Sequence, residues 1–456
     1  MNIKKILAVL LAAAMLLSLA ACGGGNSSSG NNTPNSTPTN NGGNEPTGEE
    51  IVVTIPTYYV GENVGAVYFE PAVARFNEKY AGQYRIELEE VIEQSYTDII
   101  SQQVQAGKAP LLLATPNSDW VKTAVIPSNL YQPMNEFLDA HPEVKELCLD
   151  TSIEYCTQDN GDIVSVPIVT VSNVGLFYNS ALYTPTADSI SAMSVDEFVN
   201  SLGDNKLAFQ TVDNAWTSVL FLTSLIANEE GGTELLQQYD GEKLYDFNQP
   251  CILNAVTKLQ DIWSKYAASN SVGAAYPDAA NGFMSNQAAV IFNGSWMNSE
   301  FGPDSSGNWS NDFDGANVKA DYYPGNVAIS GTKGFGRWMM TNNGSDAEKE
   351  CAYAFLAFIY SQEELETFAL TEGCQIPNMK FTDEFLGKLA EDPLIARQTE
   401  LVNSETKMVP NFSSIMVSSV ADTVFANDLV QLVNGNMTPE EFCQDLTTKS
   451  QEAMDE

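Results

Sequence analysis

One histidine, His141, stands in 456 residues, and that scarcity excludes whole classes of chemistry. A Ser-His-Asp triad would have to use it. Yet it precedes Pro142 in an acidic stretch, reads as a solvated helix boundary, and has no GxSxG to accompany it. There is no CxxC pair and no Cys/His cluster, which argues against zinc sites and thioredoxin-type redox centres. GxGxxG and GxxxxGK[ST] are also missing, so no phosphate-cradling loop is expected. Asp304 to Asp314 alternates oxygen ligands loosely as a calcium loop does, but Gly307 is misplaced for an EF-hand, and the segment reads as an exposed loop. No catalytic residue, no cofactor and no metal is therefore expected. Cations are scarce as well: 21 Lys and Arg against 59 Asp and Glu leave a formal net charge of −38. Such a chain repels nucleic acid and anionic membranes, and also strongly anionic ligands unless a local pocket overrules the net charge. Nothing among the 59 acids singles out a carboxylate pair for glycoside hydrolysis.

Long apolar runs are absent except at the start. Lys4 and Lys5 precede the apolar run Ile6 to Leu17, the size of a signal-peptide core and too short to span a membrane. The following Leu19-Ala20-Ala21-Cys22 resembles the bacterial lipobox, which implies a signal peptide over 1–21 and acylation of Cys22. Two acyl chains there suffice for stable anchoring. Residues 22–49 hold Gly, Asn, Ser, Thr and Pro without one large apolar side chain, and read as a flexible tether spanning about 30 Å. The six remaining cysteines leave two readings open, one disulfide (Cys148 and Cys156 being nearest in sequence) or buried free thiols.

From residue 50 onward the chain exceeds what one core accommodates and is expected to split in two. Ile51 to Ile55 reads as a buried strand, and Phe69, Val73, Phe76 and Tyr80 as one helical face, with Pro71 either near its first turn or kinking it. Arg85 to Val91 is a second strand, Tyr96 to Val104 a second helix and Leu111 to Ala114 a third strand. That order predicts a parallel, doubly wound sheet, with ligand beyond the strands' carboxyl ends. Asp162 to Val171 and Gly175 to Tyr178 look strand-like, and Ala347 to Tyr360 helical.

Several fragments then agree in order and spacing: Phe76-Asn77-Glu78-Lys79-Tyr80, Ala106 to Pro110, Val166-Pro167 with Gly175 to Asn179, Phe283-Met284 with Asn293-Gly294-Ser295-Trp296, Tyr323-Pro324-Gly325, Gly373 to Pro377, Glu391-Asp392-Pro393 and Val409-Pro410-Asn411. Together they resemble the extracellular solute-binding proteins of carbohydrate ABC importers. The resemblance implies an α/β fold of two lobes, each a sheet flanked by helices, joined by three hinge crossings. The implied N-lobe is 50–166 plus 324–372; the C-lobe is 167–323 plus 373–456.

The same resemblance implies a monomer on the extracellular face of a Gram-positive cell membrane, capturing an oligosaccharide and delivering it to ABC permease subunits. Sugar recognition needs flat rings for stacking and side chains that both donate and accept hydrogen bonds. The expected ligand contacts are Tyr58, Tyr59, Asp119 and Trp120 from the N-lobe loops, Trp216, Asn293 and Trp296 from the C-lobe, and Arg337 with Trp338 closing the cleft. Trp263 is expected in the core and Trp309 on the surface. Ser, Val, Ile and Met over Phe412 to Val420, where the maltose binders carry another stacking ring, argue against maltodextrin. Two other readings remain: a binder of a peptide or polyamine, and an extracellular glycosidase or adhesin.

Overall fold

The β-branched run at Ile51 does become a strand in the computed structural model, which describes residues 50–455 apart from 173 and 402. The expected signal peptide, the tether and Cys22 lie outside the described residues. The strands are β1 (Ile51–Thr57), β2 (Tyr84–Glu90), β3 (Leu112–Ala114), β4 (Val174–Asn179), β5 (Leu207–Ala208), β6 (Val290–Gly294), β7 (Val318–Asp321), β8 (Val327–Ile329), β9 (Trp338–Met340) and β10 (Lys407–Val409). The helices used below are α1 (Ala66–Lys79), α2 (Tyr96–Gln105), α3 (Trp216–Ala227), α4 (Pro250–Tyr266), α5 (Asp346–Ile359), α6 (Gln362–Glu372), α7 (Phe425–Val433) and α8 (Pro439–Asp455).

β1 and β2 run parallel, Ile51 opposite Tyr84 and Thr57 opposite Glu90, joined by α1. The apolar stripe of α1 buries Phe69, Val73 and Phe76, and Pro71 lies inside the helix, beyond its first turn. Buried β3 does not extend this parallel ladder; it pairs antiparallel with β9, Leu112 opposite Met340. α5 starts with a reciprocal cap: Ser345 Oγ accepts from Glu348 N, and Glu348 Oε2 accepts from Ser345 N at 2.7 Å. These elements share one core, which runs from Val53 to Val169 and from Trp338 to Phe385.

The second core is built on the order β10-β8-β4-β6-β5, with β7 also on β4. Aromatic layers fill it: Trp263 stacks on Phe209 at 4.6 Å and 11°, and Phe221 on Phe292 at 4.4 Å. α7 and α8 close its outer side, contributing Phe425, Leu429, Phe442 and Leu446. A smaller cluster around Phe283, Phe301 and Phe313 covers the sheet's other face.

The chain passes between the cores at places that differ from expectation. Asp162 to Val171 forms only isolated bridges, Ile163 to Thr157, Ser165 to Met339 and Val171 to Gln375, and Pro167 in its middle lacks a ladder donor. The return expected at Pro324 does not occur there. Tyr323 and Val327 exchange backbone bonds across a tight turn whose Gly325 and Asn326 have φ of 77° and 57°. A Cβ on Gly325 would stand 1.9 Å from Asn228 Oδ1, so that turn requires glycine. β8 thus stays in the second sheet, and the crossing falls between Ile329 and Trp338. Cys374, Ile376 and Phe385 likewise pack in the first core, which moves the last crossing from Gly373 to between Phe385 and Leu394. A cavity of about 310 Å³ beside these passages is lined by Val171, Ser330, Thr332 and Gln375.

Candidate functional site

On the first lobe, the carboxyl end of β1 delivers Tyr58 and Tyr59, whose hydroxyls meet at 3.0 Å. Tyr59 is held by its backbone N–H donating to Thr57 Oγ1 at 3.0 Å, and Tyr58 by the edge of Tyr96 at 5.3 Å. Beside them, Arg337 leads into β9 with its carbonyl accepting from Thr115 N at 2.8 Å. Its guanidinium lies 4.2 Å from the Tyr59 ring centre and 5.1 Å from that of Phe368, a cation–π sandwich. Burial pushes the Tyr58 hydroxyl far above its ordinary range, so it acts as a neutral donor and acceptor.

On the second lobe, Trp216, Asn293 and Trp296 come together as expected. Ala215, at φ 51°, and Asp213, at φ 59°, hold the left-handed turn that launches α3 and aims Trp216. Trp216 Nε1–H donates to Asn293 Oδ1 at 3.1 Å, and Asn293 Nδ2 donates to the Tyr276 hydroxyl at 2.9 Å. The Trp296 ring folds back over Gly294, where a Cβ would lie 2.2 Å from Cζ3, and faces Trp216 at 6.0 Å. Both indoles are partly exposed. Asn293, 0% exposed, does not itself reach ligand; it sets the angle of Trp216. Tyr276 lacked any signal in the sequence because its role comes only from folding beneath Asn293.

Two further expected contacts are corrected. Trp338 is 3% exposed and stacks on Phe69 at 5.4 Å, so it is core, its side chain facing inward from a buried edge strand. Asp119 is fully engaged: Oδ2 accepts from Ser418 N and Ser418 Oγ, each at 2.7 Å, and Oδ1 pairs with Lys243 at 3.2 Å. Lys122 Nζ on the same turn donates to Gly241 O at 3.3 Å. This helical turn bridges the lobes rather than offering free oxygens. Trp120 stands within it, partly buried, its backbone N–H capped by Asn117 Oδ1 at 2.9 Å. Nothing in the sequence marked Ser418 or Lys243 as its partners. Trp309, expected on the surface, is half covered; its Nε1–H donates to Glu300 O at 2.9 Å and its ring meets Phe313 edge-on.

The lobes meet close to both aromatic groups. Ser295 Oγ, next to Trp296, donates to Glu372 O at 2.8 Å. Glu93, its carboxyl raised by burial, feels Asp213 and adds to the field that raises Tyr276. All six described cysteines are free and buried, and His141 pairs with Glu143 at 3.0 Å between two short helices. A separate cavity of about 760 Å³, lined by Ser191, Asn228, Lys258 and Arg397, holds none of the expected contacts.

Comparison with known proteins gives a consistent picture. The family model described as "Bacterial extracellular solute-binding protein" matches residues 71–396. Among solved structures, one titled "Chitin oligosaccharide binding protein" superposes with a TM-score of 0.70 at 20% identity, covering 89% of this chain and 99% of that one. "Maltose bound T. maritima MalE3" gives 0.66 at 16% identity, with 88% and 100% covered. "SBP RafE in complex with raffinose" gives 0.62 at 15% identity, with 87% and 98% covered. No curated protein sequence matches the chain.

Proposed function

Because the chain belongs to the bacterial extracellular solute-binding proteins, we propose that it captures an oligosaccharide between its lobes and hands it to an ABC permease. The observation that carries this reading is the Trp216–Trp296 pair, two partly exposed indoles backed by an amide and a phenol rather than by charges. Rings of that kind stack on the apolar faces of pyranoses, and the Tyr58 and Tyr59 hydroxyls opposite supply two-way hydrogen bonding. Structural relatives titled for chitin oligosaccharide, maltose and raffinose support a sugar over a peptide or polyamine.

The reading is of a trap, not an enzyme: ligand bridges the lobes and shifts the population to the closed form. Acylated Cys22 and the tether over 22–49 would hold a monomer at the extracellular face of a Gram-positive membrane, within reach of its permease. A thermal-shift screen against an oligosaccharide panel tests the ligand class, since a ligand that binds only the folded state raises the melting temperature. A response to peptides or polyamines and none to sugars would overturn it.

A further inference from the structure

The sequence holds four arginines, and in a molecule with 59 acids each has carboxylates within easy reach. Three of them use one. Arg75 grips Glu364 with two bonds of 2.7 Å, Arg85 meets Glu87 at 3.3 Å and Arg397 meets Glu400 at 3.0 Å. Arg337 is the exception: among the described residues it makes no ion pair, and its Nε is buried without any hydrogen-bond partner. Its nearest companions are the faces of Tyr59 and Phe368. The carboxyl group whose field it feels, Glu372, is itself buried with Oε1 unpartnered, so the two charges stand near one another without joining.

Leaving a guanidinium unpaired in a partly desolvated cleft is costly, and a planar five-donor fork is shaped for a carboxylate held by two parallel bonds. Its place is also telling. Arg337 lies beside Tyr59 at the carboxyl end of β1 and bonds Thr115 at the end of β3, while Glu372 touches Ser295, the neighbour of Trp296. The free cation therefore lies on the first lobe beside Tyr58 and Tyr59, and the backbone carbonyl of Glu372, whose carboxyl it feels, meets the second lobe next to Trp296. We infer that the ligand is an acidic oligosaccharide, with a sugar carboxylate received by Arg337 beside the Tyr58 and Tyr59 hydroxyls and the ring faces received by Trp216 and Trp296. This rests on the carbohydrate reading above and narrows it. It also shows how a protein of net charge −38 can take an anion: the local fork overrides the distant field.

The test is calorimetry on the lipid-free mature protein with matched pairs. Oligogalacturonides are compared with their methyl esters, and glucuronic-acid-substituted xylo-oligosaccharides with the unsubstituted backbone. One acidic member should bind at least about tenfold tighter than its neutral counterpart, the range of a charged hydrogen-bonded pair. Arg337→Gln should abolish that preference, and Arg337→Lys, which keeps charge but loses the fork, should restore only part of it. Equal affinity for acidic and neutral partners, or a preference that survives Arg337→Gln, overturns the proposal and leaves the carbohydrate reading standing. Binding of no member also overturns the proposal, and the wider oligosaccharide screen then decides the carbohydrate reading separately. Should Arg337→Gln fail to fold, the wild-type comparison and Arg337→Lys still decide.

Discussion

Trp216, Trp263 and Trp296 share a residue type yet answer to different forces, and substitution separates them. Trp296→Ala or Trp216→Ala removes a partly exposed ring and should weaken oligosaccharide binding by about 2 kcal/mol, roughly thirtyfold, with a modest change in melting temperature. Trp263→Ala opens a hole beneath Phe209 and should destabilise by about 3–5 kcal/mol while the affinity of the folded protein stays near wild type. Calorimetry and thermal melting on all three decide; normal binding by both cleft variants would make those rings core. The helical face Val256, Leu259, Trp263 was legible because its periodicity is local. The grouping of Trp216 with Asn293 and Trp296 was legible through fragments in a familiar order. Whether Trp338 faces inward was not, since a three-residue strand has too short a pattern to say which side is buried.

At the scale of elements, β1, α1, β2, α2 and α5 were readable because amphipathic period and caps act within one turn or one strand. The crossings were not. Whether Tyr323-Pro324-Gly325 continues across or turns back depends on β8 pairing with distant β4 and β10, and no local pattern encodes that. The packing of α7 on α8 holds another long-range surprise. Asp428 is 8% exposed, its Oδ2 lacks a donor, and burial together with the neighbouring Asp445 pushes its carboxyl up to about 7, with Lys449 offsetting in part. Below about pH 4 an unfolded Asp is protonated too, so the pair costs nothing; as pH rises toward 7 only the unfolded chain ionises freely, and stability falls. Asp428→Asn should therefore stabilise by about 1–4 kcal/mol at pH 8, the upper end being the full shift and the lower end allowing for solvent screening, and leave pH 4 unchanged. A pH-independent difference in melting temperature would assign the effect to packing instead.

For the molecule as a whole, the helical turn from Asp119 to Lys122 ties one lobe to the other through Ser418, Lys243 and Gly241. These charged bonds form only when the lobes are together, so they bias closure without touching ligand. Asp119→Asn keeps the shape but loses the ion pair and one acceptor. Its effect should appear as a shift of the open–closed equilibrium of about 1–2 kcal/mol, an apparent affinity about tenfold weaker, and little change in melting temperature. Small-angle scattering supplies the readout that separates this from a lost ligand contact. With saturating ligand the radius of gyration of both proteins should shrink to the same value, because closure about the three crossings is the same motion. Without ligand, the variant should be the more open of the two. If the ligand-free radii are identical and only the affinity drops, Asp119 meets the sugar directly and its bonds to Ser418 are incidental. If ligand leaves both radii unchanged, the lobes do not close at all and the trap mechanism fails.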